Sequence, residues 1–262
     1  MMNYISAAVL GIVEGLTEFL PISSTGHLII FNHWFYFSPE FTKLFDVVIQ
    51  SGAILAVIIL FWKSLWPDKW NLSELKSKWG AILVAFVPTA IIGALFGSLA
   101  QEYLFTPWVV AAALVFYGIV FLLIERFGLK KTSNDSLPTY KDALVIGAAQ
   151  SLALVPGTSR SGATMIALLL LGYARPAAAR FSFLLAVPTL IAASAYSLLK
   201  YKAPISGPEF GYLAVGFVAS FISAFIVSKW FIGYISKHTF KPFAWYRIVL
   251  GILVILFFGF LI

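Results

Sequence analysis

No cysteine occurs in the 262-residue chain, and only 11% of its residues are charged. The first absence excludes disulfides, thiolate metal sites and cysteine nucleophiles. The second leaves too few ionisable groups to wet a surface, since soluble domains carry about 25%. No polar stretch is long enough for a disordered region, a coiled coil or a large soluble domain. Met1 leads directly into apolar sequence, with neither a basic n-region nor an Ala-x-Ala site, so no cleavable signal peptide is expected. What is abundant is apolar: 61% of residues are hydrophobic and 17% aromatic, the composition of a polytopic membrane protein. The formal charge of +7 would suggest nucleic acid in a soluble protein. In a membrane protein it reports cytoplasmic lysines and arginines, so membrane lipids and not nucleic acid are the expected surroundings.

A spanning helix needs about 20 predominantly apolar residues. Six runs qualify, at roughly 44–62, 81–99, 107–125, 181–199, 211–229 and 245–262. Two further apolar stretches, roughly 3–33 and 142–173, are each split near the middle by a polar cluster, Pro21-Ile22-Ser23-Ser24-Thr25-Gly26-His27 and Pro156-Gly157-Thr158-Ser159-Arg160-Ser161-Gly162. Their halves are too short to cross alone, which is the pattern of re-entrant half-helices. The expected class is all-α, with six transmembrane helices and two re-entrant hairpins in a single membrane domain, 1–262.

The split stretches resemble each other. At a shift of 136 residues, Ser23-Ser24-Thr25-Gly26 falls on Ser159-Arg160-Ser161-Gly162, Glu14 on Gln150 and Phe45 on Phe181. The chain therefore reads as two repeats, about 1–130 and about 138–262, each a hairpin followed by three spans. Three crossings per unit invert the second copy. With the N-terminus outside, Lys63, Lys69, Lys76, Lys78, Arg126, Lys130, Lys131, Lys141, Arg175, Arg180, Lys229, Lys237 and Lys241 fall on the cytoplasmic side. Only Lys43, Lys200 and Lys202 fall opposite, a bias of thirteen to three that places both termini on the outer face. Trp62, Trp66, Trp79, Trp108, Tyr201 and Trp245, near span ends, form an aromatic belt.

Ionisable groups inside a bilayer are costly and mark function by default. Glu14, Glu18, His27 and Arg160 stand out. Glu14 and Glu18, spaced i,i+4, put two carboxylates on one helix face, where they share a proton, hold a divalent cation or form a structural pair neutralised by Arg160. Pro21 ends the first half-helix, and Ser23, Ser24 and Thr25 are cap-type residues that open a new one with its positive end inward. Pro156-Gly157 with Thr158, Ser159 and Ser161 repeats the device. Two helix N-termini with an arginine beside them make a phosphate site. His27, three residues after Ser24, lies on the same face as that hydroxyl and is a general base, a general acid or a nucleophile, or else a packing residue.

The segment from Glu14 to His27, EGLTEFLPISSTGH, and the segment Pro156 to Thr164, PGTSRSGAT, closely resemble the two signature motifs of the bacterial undecaprenyl-diphosphate phosphatase family, also called the bacitracin resistance protein. The resemblance extends over essentially the whole chain. It implies an integral membrane hydrolase of the bacterial inner (plasma) membrane that converts undecaprenyl diphosphate to undecaprenyl phosphate and inorganic phosphate. The product is the lipid carrier for peptidoglycan and other envelope polymers, and making it confers bacitracin resistance. The resemblance further implies a divalent cation, Mg²⁺ or Ca²⁺, and a site open to the outer face. Its functional positions fall on Glu14, Glu18, Ser23, Ser24, His27, Ser159, Arg160 and Thr164.

These readings combine into one expected mechanism. Ser24 attacks the terminal phosphorus in line, with His27 or Glu18 taking its proton and His27 as the alternative nucleophile. Arg160, Ser23, Thr25, Ser159, Ser161 and Thr164 hold the diphosphate, and Glu14 and Glu18 hold the cation. The rival class is a transporter or flippase of an anionic prenyl phosphate, which needs the charges but not a serine–histidine pair or paired glutamates aligned with it. A homodimer is compatible with either.

Overall fold

Proline opens five of the helices among the described residues. Pro39, Pro107, Pro176, Pro208 and Pro242 each fall in the first two residues of one, where the missing N–H costs nothing and φ is already helical. The computed structural model describes residues 2–35, 37–66, 72–127 and 135–259. Lys69, Lys130 and Lys131, counted above for orientation, and 260–262 of the last expected span lie outside the described residues.

In chain order the helices are α1 (Met2–Thr17), α2 (Ser24–Phe31), α3 (Pro39–Leu60), the single turn α4 (Trp62–Leu65), α5 (Leu72–Leu104), α6 (Pro107–Phe127), α7 (Tyr140–Ser151), α8 (Arg160–Leu170), α9 (Arg175–Lys200), α10 (Gly207–Ile235) and α11 (Lys241–Gly259). No strand occurs among the described residues. Among the described residues, six helices are long and apolar enough to cross a membrane: Pro39–Leu60, Trp79–Leu104, Pro107–Phe127, Arg175–Lys200, Gly207–Ile235 and Lys241–Gly259. They coincide with the six expected runs. At about 1.5 Å per residue, α1, α2, α7 and α8 reach only about 24, 12, 18 and 17 Å, short of a hydrocarbon core of about 30 Å. They flank the two polar breaks, as expected.

Close packing depends on small residues. Gly11 and Gly15 of α1 lie against α10, where a Cβ at either would collide with the backbone at Gly216 or Ser220. Small residues four apart let two helices approach in lipid, where dispersion replaces the hydrophobic effect as the main attraction. α10 packs on both α1 and α3, α5 packs on both α7 and α9, and the pairs α6 with α11 and α3 with α9 complete the frame. The largest core cluster carries Phe19, Phe61, Phe183 and Phe231 in ring contact at 5.2–5.9 Å. Leu95, Phe96, Leu199 and Phe210 are instead exposed at the perimeter. An apolar exterior of this kind belongs in lipid.

Prolines inside α5 and α9, Pro88 and Pro188, leave both helices continuous. One ion pair closes the frame: Arg175 donates through Nε to Glu125 Oε1 at 2.9 Å and through a terminal nitrogen to Oε2 at 2.5 Å. Phe240 N–H adds a third bond to the same carboxylate at 2.9 Å, tying the ends of α6, α9 and α11 together.

Candidate active site

The two breaks end in the same unusual residue. Ser23 caps α2 at φ 70° and Ser159 caps α8 at φ 72°, the only non-glycine residues at positive φ among the described residues. Each serine Oγ accepts a hydrogen bond from the backbone three residues on, Gly26 N–H at 3.3 Å and Gly162 N–H at 3.1 Å. A left-handed serine costs about 1 kcal/mol or more and persists only where its surroundings impose it. Gly157, at φ +90°, permits the second break, because a Cβ there would lie 2.5 Å from Val110 O of α6.

Glu18 joins the two short helices. Its Oε2 accepts from Ser24 Oγ at 2.6 Å, and its Oε1 accepts from Arg160 Nε and a terminal nitrogen, both at 3.4 Å. Ser24 and Arg160 are the first residues of α2 and α8, so one carboxylate spans both N-termini. Another Arg160 nitrogen donates to Ser182 O at 3.0 Å, and the guanidinium lies over the Phe19 ring at 5.7 Å. Glu18 itself lies one residue beyond the end of α1, with its N–H still bonded to Glu14 O at 2.9 Å. The i,i+4 geometry survives although the last carboxylate sits in the turn.

His27 does not meet Ser24. Its Nδ1 lies 2.7 Å from Ser23 O, a carbonyl that only accepts, so Nδ1 carries the proton. Nε2 is then bare and accepts from Tyr246 O–H at 2.6 Å, with the two rings stacked at 5.5 Å. Of the two groups expected to face the Ser24 hydroxyl, His27 and Glu18, the structure brings the carboxylate and not the imidazole.

The remaining hydroxyls are mostly committed within the protein. Ser159 and Ser161 lie 3.0 Å apart, and Ser161 donates to Leu20 O at 2.8 Å, linking the second break to the first. Thr164 donates to Arg160 O at 2.8 Å and stands 3.5 Å from Gln150 Oε1. Ser161 and Thr164 are fully buried, so the structure leaves them as braces under the site, while Ser24 and Thr25 are half-buried at the start of α2. Gln150, at the position equivalent to Glu14, donates to Thr89 and Thr189 at 2.9 and 3.1 Å. The second unit thus has a neutral residue, bonded to threonines of both units, at the position where the first keeps charge.

Glu14 and Asp46 form the acidic side. Glu14 lies within electrostatic reach of Glu18, Asp46 and Arg160. Glu14 Oε2 and Asp46 Oδ1 are buried without a hydrogen-bond partner among the described residues. Orphaned carboxylate oxygens suit a hard cation. No group of three or more histidine, aspartate or glutamate ligands converges among the described residues, so such a cation would complete its shell with water or substrate oxygens.

Two contributors come from α11 and escaped the motif reading. Tyr246 holds His27, and Arg247, wholly buried, donates to Pro21 O at 3.0 Å, Gly157 O at 2.7 Å and Thr158 O at 2.9 Å. Arg247 falls just inside the last apolar run, where a basic residue reads as an end-of-span marker. Its one signal was an arginine within a span.

A family model described as bacitracin resistance protein BacA matches residues 7–253. An undecaprenyl-diphosphatase of Enterococcus faecalis is 47% identical over 259 residues, covering 94% of both chains. One of Polaromonas sp. is 47% identical over 259 residues, covering 96% of this chain and 94% of its own. One of Lacticaseibacillus casei is 41% identical over 268 residues, with 98% of each chain covered.

Proposed function

The chain belongs to the bacitracin resistance protein BacA family, and from that premise we infer that it is a multi-pass membrane enzyme, an undecaprenyl-diphosphatase. It hydrolyses undecaprenyl diphosphate to undecaprenyl phosphate and inorganic phosphate. The lipid carrier so recycled serves cell-wall synthesis, and bacitracin resistance follows from the family. The observation that carries the reading is Glu18, bonded at once to the hydroxyl that opens α2 and the guanidinium that opens α8.

In the chemistry we propose, Ser24 Oγ attacks the terminal phosphorus while Glu18 Oε2 accepts its proton. The bond from that phosphorus to the bridging oxygen breaks, and undecaprenyl phosphate leaves. Water then cleaves the phosphoserine and releases inorganic phosphate. Arg160 and the free N–H groups at the start of α2 and α8 are placed to balance the charge spreading over the transferring oxygens, which is the main task in phosphoryl transfer. Arg160 also orients Glu18 toward Ser24. With Nε2 covered by Tyr246 and Nδ1 pinned to Ser23, His27 serves first to hold the N-cap carbonyl.

Glu14, together with Glu18, is the pair we assign to Mg²⁺ or Ca²⁺, with Asp46 adjacent. A bound cation would neutralise diphosphate charge. The orphaned oxygen of Glu14 supports that assignment.

We read the paired short helices as re-entrant and the two units as inverted. Supporting this, α10 serves α1 and α3 as α5 serves α7 and α9, which is what exchange of two equivalent units produces. The thirteen-to-three charge bias supports both termini and the mouth of the site on the outer face of the bacterial cell membrane.

The test is phosphate release from C55 diphosphate by the detergent-purified protein, followed beside translocation of the lipid in vesicles. Release without translocation is expected. Translocation without release would establish the carrier instead.

A further inference from the structure

Among the described residues Arg247 is the largest wholly buried side chain, and it makes no ion pair with any of them. Its three hydrogen bonds all go to backbone carbonyls. Two of those carbonyls, Pro21 O and Gly157 O, are the same position in the two units, since 21 and 157 differ by the 136-residue shift that relates the motifs. Each lies two residues before a left-handed serine cap. The guanidinium is therefore the crosspiece on which both breaks are mounted, with Tyr117 alongside at 5.8 Å and Nε left without a partner.

Three neutral carbonyls use donors of the guanidinium but leave its charge without a counter-ion. A buried guanidinium without a carboxylate carries a desolvation cost that such a bracing role does not require. Its charge acts on whatever occupies the ground in front of the two N-termini, where the low dielectric leaves it weakly screened. Anions are stabilised there in the same sense by the helix ends themselves.

We propose that Arg247 is a positioning residue for the phosphoryl site, holding both N-cap turns in register and supplying a positive charge whose counter-ion is the substrate's own phosphate. It touches no reacting atom. The inference rests on the reading of the two turns as a diphosphate site, and it predicts that the protein binds anions less well without this charge even where the fold is kept.

The experiment uses the full chain purified in detergent as wild type, Arg247→Gln and Arg247→Lys. Each is melted with and without inorganic phosphate and assayed for KM and kcat on C55 diphosphate. Phosphate raises the wild-type Tm, since a ligand selective for the folded state stabilises it. In Arg247→Gln that rise is expected to vanish and KM to increase about tenfold, the loss of one nearby, weakly screened positive charge. Arg247→Lys, which keeps the charge, retains at least half of the phosphate-induced rise. A lowered Tm in Arg247→Gln with an unchanged phosphate response and KM would reduce Arg247 to a brace and overturn the proposal. If Arg247→Gln does not fold, Arg247→Lys decides: loss of its phosphate response overturns the role of charge. A wild type that neither responds to phosphate nor releases it indicts the diphosphate site itself, and this inference falls with it.

Discussion

Ser24 Oγ donates to Glu18 Oε2 at 2.6 Å across the first helix break, six residues apart in sequence and joined by a chain reversal. The hydroxyl thus meets a carboxylate in the turn that follows the preceding helix, and the imidazole that shares its own helix turns away to Tyr246. Ser24→Ala is expected to abolish phosphate release. Glu18→Gln should lower kcat by about 10²–10⁴, the usual contribution of a positioned general base. Both are measured on purified protein with helicity checked. Near-normal turnover in Ser24→Ala sinks the nucleophile assignment.

Metal removal separates the two glutamates. EDTA should suppress phosphate release, and Mg²⁺ or Ca²⁺ should restore it. Glu14→Gln is expected to raise the cation concentration needed for half-maximal activity by about tenfold, equivalent to about 1.4 kcal/mol. A cation titration that superimposes on the wild type removes Glu14 from the cation site.

Outside the spans, Tyr173 O–H donates to Asp142 Oδ2 at 2.7 Å, and Thr139 O–H donates to the same oxygen at 2.8 Å. The bonds from Tyr173 and then Thr139 hold the Asp142 carboxyl below its ordinary value. Burial first, and then this same bond, push the Tyr173 phenol up to about 12. A depressed carboxylate stabilises the fold above its unfolded pKa and loses that contribution as pH falls through the folded one, here from about pH 4 downward. The raised phenol stabilises below its unfolded pKa of about 10, and that part is lost as pH climbs toward 12. Because Asp142 is near the surface, the acid part is worth under about 1 kcal/mol. Tyr173→Phe should flatten the dependence of Tm on pH at both ends, and an unchanged profile would discard the link.

Much of this was legible in the residues. The six spans follow from runs of apolar side chains, which only a helix satisfies in lipid because its backbone bonds are internal. The two breaks follow from Pro21 and Pro156-Gly157, and the caps at Ser23 and Ser159 from hydroxyls that accept the first free N–H groups. Even the equivalence of the breaks was visible as a 136-residue shift, and it reappears as the same φ to within two degrees. Spacing misled at His27, because proximity on a helix face does not decide which acceptor an imidazole turns toward.

The sequence by itself therefore determined what is local: the solvent, the helices, the breaks and the chemical types gathered at them. Only the tertiary structure decided partnership. Tyr246 reaches His27 across 219 residues, Arg247 reaches Pro21 across 226, and Arg160 reaches Glu18 across 142. Periodicity and capping act over a few residues, whereas a buried donor takes whichever acceptor packing brings within 3 Å, and that is settled by the whole arrangement of helices.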